Sequence, residues 1–145
     1  MDNLQLRSVL ISTLSKMYEM EAFNNVAVFI QGEMHILWCL LQSPDREMNP
    51  SLLSDLLHVS RSRITAALSS LRKKGYVTME MSEGDRRKMR VLLTPEGEAY
   101  IKLKQEIVER YFDLMIEGLG EQNVLELNRL IELAIEVVEN KVGQL

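Results

Sequence analysis

Hydroxyl and basic side chains are concentrated in one stretch near the middle of this chain. They are Ser60, Arg61, Ser62, Arg63, Thr65, Ser69 and Lys73. Serine and threonine can hydrogen-bond to phosphates or base edges, and arginine can bind guanine through two hydrogen bonds. If a helix begins at Ser60, both arginines lie in its first turn, where the helix dipole disfavours positive charge. An anionic partner such as DNA would explain their position.

A second charged group lies further along the chain, at Asp85, Arg86, Arg87 and Lys88. Residues 58–90 contain nine Lys/Arg against three Asp/Glu, a net charge of +6, whereas residues 1–57 carry −4 and residues 94–145 carry −6. The whole chain has a net charge of −4, so only its middle third has a net positive charge. This distribution predicts one surface that meets a polyanion. The alternative is a solvated basic face without a partner.

Short elements typical of a helix-turn-helix would position these side chains. Asn49-Pro50 provides the N-cap and first-turn proline of a short helix, and Ser60 caps a second helix that ends at Lys74-Gly75. Residues 76–81 and 89–93 are rich in strand-forming types, and the polar connection between them predicts a β-hairpin. This order predicts a winged helix-turn-helix, in which the second helix enters the major groove of DNA.

Long helices are predicted on both sides of this motif. Apolar residues at helical spacing, without Pro or Gly, predict a first helix from Asp2 to about Asn24-Asn25, followed by a second over residues 31–42. Thr94-Pro95-Glu96 starts another long helix, and residues 121–141 form the last. The predicted fold class is therefore mainly α with a small β-hairpin wing, in which long N- and C-terminal dimerisation helices flank the winged helix-turn-helix domain.

The last helix is apolar around more than half of its circumference. Val124, Leu127, Ile131, Ala134 and Val138 repeat at alternating spacings of three and four, which is typical of a packing seam. Leucine, isoleucine and valine also occupy the neighbouring faces. One small domain can cover about one such face, so the sequence predicts a homodimer through the terminal helices rather than a monomer.

Length and composition exclude several other classes of protein. A chain of 145 residues, 46% hydrophobic and 26% charged, corresponds to about one soluble globular domain. No apolar run reaches the roughly 18 residues needed to span a bilayer, and no secretory signal is recognisable. The single cysteine, Cys39, cannot form an internal disulfide, as is usual in a reducing compartment. We therefore expect a cytoplasmic protein without a membrane partner.

Catalytic or cofactor chemistry finds no support in the sequence. There is no Gly-rich phosphate loop, and no nucleophile has a plausible histidine partner, so we expect neither an enzyme nor a cofactor. Cys39 lies in an apolar helix without a nearby cation and is predicted to be structural rather than a redox sensor. His35 and His58 are too isolated for a metal cluster, so no metal site is predicted. A metal- or redox-sensing regulator, which would use His35 beside Glu33 or Cys39, is kept as an alternative.

Residues 48–94 resemble the DNA-binding core of the MarR family, the multiple-antibiotic-resistance regulators. The most specific segment, residues 85–97, reads DRRKMRVLLTPEG and is similar to the D-x-R wing of that family followed by its L-T-x-x-G entry to a long helix. The resemblance implies that Arg87 inserts into the minor groove and that Asp85 orients it. Ala66 departs from the family, which often has an outward polar residue there, so base readout is expected to move to Arg61, Arg63 or Thr65.

The same resemblance implies the domain organisation and the partners of the chain. It implies one MarR-like domain over residues 1–145, with the winged helix-turn-helix at about 31–94 and dimerisation helices at about 2–30 and 95–145. The protein would be a ligand-responsive repressor that binds pseudo-palindromic double-stranded DNA as a homodimer. The alternative from another class is a winged helix that binds protein, for which salt should hardly alter binding.

A small-molecule effector pocket is expected at the junction of the first two helices. Apolar and aromatic side chains cluster there, namely Met17, Met20, Phe23, Phe29, Met34 and Trp38. Such side chains are equally suited to an ordinary core, so the pocket and the core remain alternative interpretations.

Overall fold

The computed structural model describes residues 1–81 and 88–143. Its helices are α1 (Asn3–Glu19), α2 (Glu21–Phe29), α3 (Gly32–Gln42), α4 (Pro50–Leu57), α5 (Arg61–Lys73), α6 (Pro95–Leu119) and α7 (Glu121–Val142). Its strands are β1 (Glu47–Met48), β2 (Val77–Met81) and β3 (Met89–Leu93), and a 3-10 turn over Pro44–Arg46 precedes β1. This order confirms the predicted fold class, mainly α with a small wing.

The first helix is shorter than the sequence predicted. α1 ends at Glu19 rather than near Asn24-Asn25, because Met20 adopts an extended backbone with φ −81° and ψ 127°. α2 begins at once and contains Asn24, whose side-chain amide donates a hydrogen bond of 3.0 Å to the carbonyl oxygen of Tyr18. The prediction was wrong because it treated the asparagine as a helix stop, whereas Asn24 caps the preceding helix from within the next one.

The two helices of the helix-turn-helix are capped as the sequence predicted. Asn49 Oδ1 accepts a hydrogen bond of 2.7 Å from the backbone N–H of Leu52, at the start of α4. Ser60 Oγ accepts one of 3.2 Å from the backbone N–H of Arg63, at the start of α5. After α5, Gly75 has φ +80°, a conformation that glycine adopts without a Cβ penalty. The recognition helix of the motif is thus fixed at both ends.

The wing is a three-stranded antiparallel sheet rather than a hairpin alone. β2 and β3 pair over their whole lengths, which confirms the predicted hairpin. β1 lies on the other side of β3, where Glu47 is paired with Leu92. The sequence did not predict β1, because a strand of two residues is too short to show an alternating pattern.

Thr94 closes the base of the wing and starts α6. Its Oγ1 donates a hydrogen bond of 2.6 Å to the carbonyl oxygen of Gly75 and accepts one of 3.0 Å from the backbone N–H of Gly97. Its own N–H donates to the carbonyl oxygen of Tyr76 at 3.1 Å. A Cβ atom on Gly97 would overlap that Tyr76 carbonyl oxygen. The L-T-x-x-G pattern therefore combines a capping threonine with a close backbone contact that requires glycine.

The chain divides into two compact units, residues 1–108 and residues 109–145. The first unit contains an apolar core drawn from α2 to α5, β2, β3 and the first part of α6. Its members are Phe29, Ile36, Leu37, Leu40, Leu41, Leu53, Ile64, Leu68, Leu71, Val77, Val91, Ile101 and Val108. This core holds the helix-turn-helix against the sheet of the wing.

The second unit contains the end of α6 and α7, with Gly120 at φ +81° between them. α7 buries none of its residues. Leu127, Ile131 and Val138 are 40%, 51% and 58% exposed, so most of the apolar stripe that predicted a packing seam is open to solvent in the single chain. Among the described residues, no helix has both the length and the apolar character to cross a membrane.

Candidate nucleic-acid interface

α5 is held by one buried face and presents the opposite face to solvent. Ile64, Leu68 and Leu71 are at most 2% exposed and form the buried face. Residues spaced by four, three and four along the opposite face lie on one line, because each residue of a helix turns by about 100°. This outward line of α5 consists of Ser62, Ala66, Ser69 and Lys73. All are exposed except Ser69, which is half-buried.

Thr65 has a narrower set of possible contacts than its residue type suggests. Its Oγ1 donates a hydrogen bond of 2.8 Å to the carbonyl oxygen of Arg61 within α5. The hydroxyl hydrogen is therefore engaged, which leaves the oxygen lone pairs and the methyl group exposed. Thr65 can accept a hydrogen bond from a base amine or pack against a thymine methyl without breaking this bond.

The two arginines at the start of α5 are exposed. Within residues 1–81 and 88–143, neither Arg61 nor Arg63 makes a side-chain hydrogen bond or an ion pair with a carboxylate. Arg72, at the other end of the helix, is exposed too and lies eleven residues from Arg61, on the same side of α5. Sequence reasoning omitted Arg72, although this spacing could have indicated it.

Lys74 differs from these exposed cations because it has an acidic partner. Its Nζ lies 2.7 Å from Oε2 of Glu33 on α3, and this hydrogen bond raises the pKa of Lys74. Partial burial alone would raise the pKa of Glu33, but hydrogen bonds from Lys74 and Ser70 bring that pKa below its usual value. Lys74 thus joins the end of α5 to α3. No local pattern could predict this pair, because its members are 41 residues apart in the chain.

The wing contributes one described cation to the exposed surface. Lys88 is exposed. Asp85, Arg86 and Arg87, the other predicted wing residues, lie outside the described residues. Arg90 is already neutralised, since its Nη1 lies 3.3 Å from Glu47 and its Nη2 lies 3.2 Å from Glu80. The exposed positive charge of the described residues 58–81 and 88–90 therefore comes from α5 and Lys88.

Two cavities lie within residues 1–108. The larger has a volume of about 450 Å³ and is lined by Val28, Gln31, Gly32, Glu33, Met34, Leu37, Leu71, Lys74, Tyr76 and Tyr100. The smaller has a volume of about 100 Å³ and is lined by Asn25, Val28, Phe29, Met34, Lys104, Ile107 and Val108. The rings of Tyr76 and Tyr100 stack with centroids 4.5 Å apart beside the larger cavity.

The structure brings together some of the residues that were expected to form an effector pocket and leaves others apart. Met34 lines both cavities, and Phe29 lines only the smaller one. Met17 and Met20 are exposed, and Phe23 packs edge-on against Tyr18 at 5.2 Å. Trp38 packs edge-on against Phe29, with ring centroids 6.4 Å apart.

Cys39 and His35 both lie on α3, and neither belongs to a metal-binding group among the described residues. Cys39 is half-buried, and burial raises the pKa of its thiol, so the reactive thiolate is disfavoured. His35 packs against the ring of Trp38 at 6.1 Å. Among the described residues, no group of three or more His, Cys, Asp or Glu side chains is arranged to hold a metal ion.

The helix-turn-helix of α4 and α5, followed by the sheet of the wing, defines this chain as a winged helix-turn-helix protein. Residues 31–89 match the sequence model of the MarR family. This match agrees with the predicted resemblance of residues 48–94 to that family and covers most of them, but not the start of α6.

One curated relative and two solved structures illustrate this similarity. The HTH-type transcriptional repressor YetL of Bacillus subtilis is 31% identical over 72 residues, which are 50% of this chain and 43% of that protein. The match thus spans less than half of the relative. FabT of Streptococcus pneumoniae, solved in complex with DNA, has a TM-score of 0.71 at 23% identity, over 96% of this chain and 99% of FabT. The heme sensor PefR of Streptococcus agalactiae, solved with heme, has a TM-score of 0.66 at 22% identity, over 92% of both chains.

Proposed function

We propose that this protein is a transcriptional regulator that binds pseudo-palindromic double-stranded DNA as a homodimer. The observation that carries the proposal is the outward face of α5. Two exposed arginines without acidic partners among the described residues stand at its N-terminal end, next to hydroxyl side chains. A buried face of three apolar residues holds the helix in place. The end of a recognition helix that enters the major groove has this composition.

Two of the similar proteins support the same proposal. YetL is a transcriptional repressor, and FabT was solved bound to DNA. For this chain, repression is the direction we propose, by analogy with YetL. In each subunit α5 would occupy a major groove, with the two half-sites about 34–36 Å apart, and the wings would reach the flanking minor grooves.

Exposed apolar surface supports the homodimer. Leu10 on α1 is 63% exposed, and α7 exposes leucine, isoleucine and valine along its whole length. Soluble monomers rarely expose apolar patches of this extent. A second copy of the chain would cover such surface, and its two-fold symmetry would match a palindromic site. The homodimer therefore explains both the apolar helices and the form of the DNA site.

The larger cavity supports a response to a small molecule. Its volume of about 450 Å³ is within the range of small-molecule sites, and Leu71 and Lys74 bring the end of α5 to its wall. PefR, a structural neighbour, was solved with heme. A ligand that binds this cavity more tightly in one arrangement of the dimer would shift the population away from the DNA-binding arrangement.

Selection from random DNA duplexes tests the proposal. The wild-type protein should select a palindromic motif. The double variant Arg61→Ala/Arg63→Ala should weaken binding and change the preferred bases, and Thr65→Ala should change them at fewer positions. The control is Arg129→Ala/Lys141→Ala, which removes the same charge from α7. Selection of no motif, with equal binding by all variants, would favour the winged helix that binds protein.

A further inference from the structure

Arg90 connects the three strands of the wing through two ion pairs. It lies on the central strand β3, directly opposite Glu80 of β2. Its Nη2 lies 3.2 Å from Glu80 Oε2, and its Nη1 lies 3.3 Å from Glu47 Oε2 on β1. One guanidinium group thus bridges the carboxylates of both edge strands. An arginine fork is suited to this task because its nitrogens point in fixed directions.

The strand β1 is short and lies at the edge of the sheet. It contains two residues, and the two residues before it, Asp45 and Arg46, have positive φ values of 57° and 56°. After β1, the chain reaches Asn49, the N-cap of α4, at once. The pair between Arg90 and Glu47 therefore joins the wing to the segment from which the helix-turn-helix begins.

The surroundings of Arg90 do not suit a direct contact with phosphate. Both Nη atoms already face carboxylates, and within residues 1–81 and 88–143 the buried Nε has no hydrogen-bond partner. Two carboxylates beside the guanidinium would repel a third anion. Ion pairs whose side chains remain partly open to solvent, as these do, contribute little to folding stability. The remaining role for this bridge is to fix geometry.

We infer that Arg90 is a positioning residue for DNA binding, which holds the wing at the orientation that lets it and α5 contact one duplex together. The inference rests on the proposed function and adds a link between its minor-groove and major-groove contacts. Arg87, the predicted minor-groove residue, stands only two positions before β3.

Hydrogen exchange of the free protein tests the bridge without DNA. In Arg90→Leu and Arg90→Lys, the amides of β1 and of the adjacent part of β3 should exchange at least about threefold faster than in the wild type, while core amides of α5 keep their rates. Arg129→Leu, which breaks the exposed pair with Glu126 on α7, is the control. Unchanged exchange at β1 in both Arg90 variants would overturn the inference.

A double-mutant cycle with Arg87→Ala tests the link to DNA. In the wild-type background, Arg87→Ala should weaken specific binding by about 5- to 150-fold. In the Arg90→Lys or Arg90→Leu background, the same change should cost less than about threefold, because the wing is already misplaced. If the two losses multiply, Arg90 acts independently of the wing and the inference is wrong. If the wild type binds no duplex at all, the proposed function is wrong. This outcome differs from multiplied losses, which would contradict only the role of Arg90.

Removal of the Glu47 carboxylate should change DNA affinity in opposite directions, depending on whether Arg90 positions the wing or contacts phosphate. If Arg90 positions the wing, Glu47→Gln should weaken binding by about two- to tenfold, since one arm of the bridge is lost. If Arg90 instead contacts phosphate, Glu47→Gln should strengthen binding, because it removes a negative charge and releases the guanidinium. Glu126→Gln on α7 removes the same charge elsewhere as the control. Tighter or unchanged binding by Glu47→Gln would overturn the inference.

Discussion

Lys73 and Lys74 are neighbours in sequence, but only Lys73 is expected to contact DNA. Lys73 is exposed on the outward line of α5 and makes no ion pair with a described residue. Lys74 is held 2.7 Å from Glu33. Replacement of each by alanine removes the same side chain from adjacent positions. The two variants therefore test whether the structure distinguishes a cation that binds phosphate from one that joins two helices.

Counterion release gives the size of the effect. Each phosphate neutralised on B-form DNA contributes about −0.9 to the slope of log affinity against log salt concentration. A homodimer carries two copies of Lys73, so Lys73→Ala should reduce the slope by about 1.8. Between about 50 and 200 mM salt, the wild type should then lose about 12-fold more affinity than this variant. Lys74→Ala should leave the slope unchanged.

Fluorescence anisotropy with a labelled duplex at several salt concentrations measures these slopes. For about six to eight phosphate contacts, the wild-type slope should be about −5 to −7. Since Lys74→Ala leaves an unpaired carboxylate, the double variant Lys74→Ala/Glu33→Gln is the charge-matched control. If Lys74→Ala and this control reduce the slope as much as Lys73→Ala does, the reasoning from ion pairs is wrong. A wild-type slope near zero would favour the winged helix that binds protein.

Replacement of Leu127 and Ile131 by Asp should abolish the dimer and the fold together, because obligate dimers often lack a stable monomer; a folded wild-type monomer in sedimentation at micromolar concentration would contradict this. Gly97→Ala should destabilise the protein by about 1–3 kcal/mol in urea, because its Cβ meets a backbone carbonyl, whereas Gly118→Ala, with open space around its Cβ, should not. The lowered pKa of Glu33 gives stability that is present above its unfolded pKa and is lost as the pH falls through the folded value. Glu33→Gln should therefore cost about 0.2–1 kcal/mol at pH 7 and less as the pH falls through the folded pKa of Glu33, and a cost that does not change with pH would exclude this pair as the cause.

Local signals predicted most of the fold. Asn49, Ser60 and Gly75 marked the ends of α4 and α5, since capping depends on residues within one turn of the helix end. The break at Met20 was not predictable in this way. Its residue type is a good helix former, and the hydrogen bond from Asn24 to Tyr18 that caps α1 appears only once the chain bends.

The candidate site was predictable where it depends on one helix and less so where it depends on several elements. The outward residues of α5 follow from helical spacing, and their DNA contacts remain a prediction. The roles of Lys74 and Arg90 depend on carboxylates from other elements, namely Glu33, Glu47 and Glu80. Such pairs leave no periodic trace in a sequence. For the same reason, residue type alone did not show that the larger cavity has walls from α3, the end of α5, Tyr76 and α6.

The hydrogen bonds of Thr94 have a consequence for how the wing can change in length. They tie Gly75 and Tyr76, before β2, to the first turn of α6, after β3. Both ends of the intervening segment are thus fixed at one place, whatever lies between them. Insertions or deletions near the middle of residues 77–93 should therefore alter how far the wing reaches without shifting α5 or α6. A change in this segment alone would then alter the distance between the DNA contacts of α5 and those of the wing. The residues at the base of the wing would keep α5 and α6 in place.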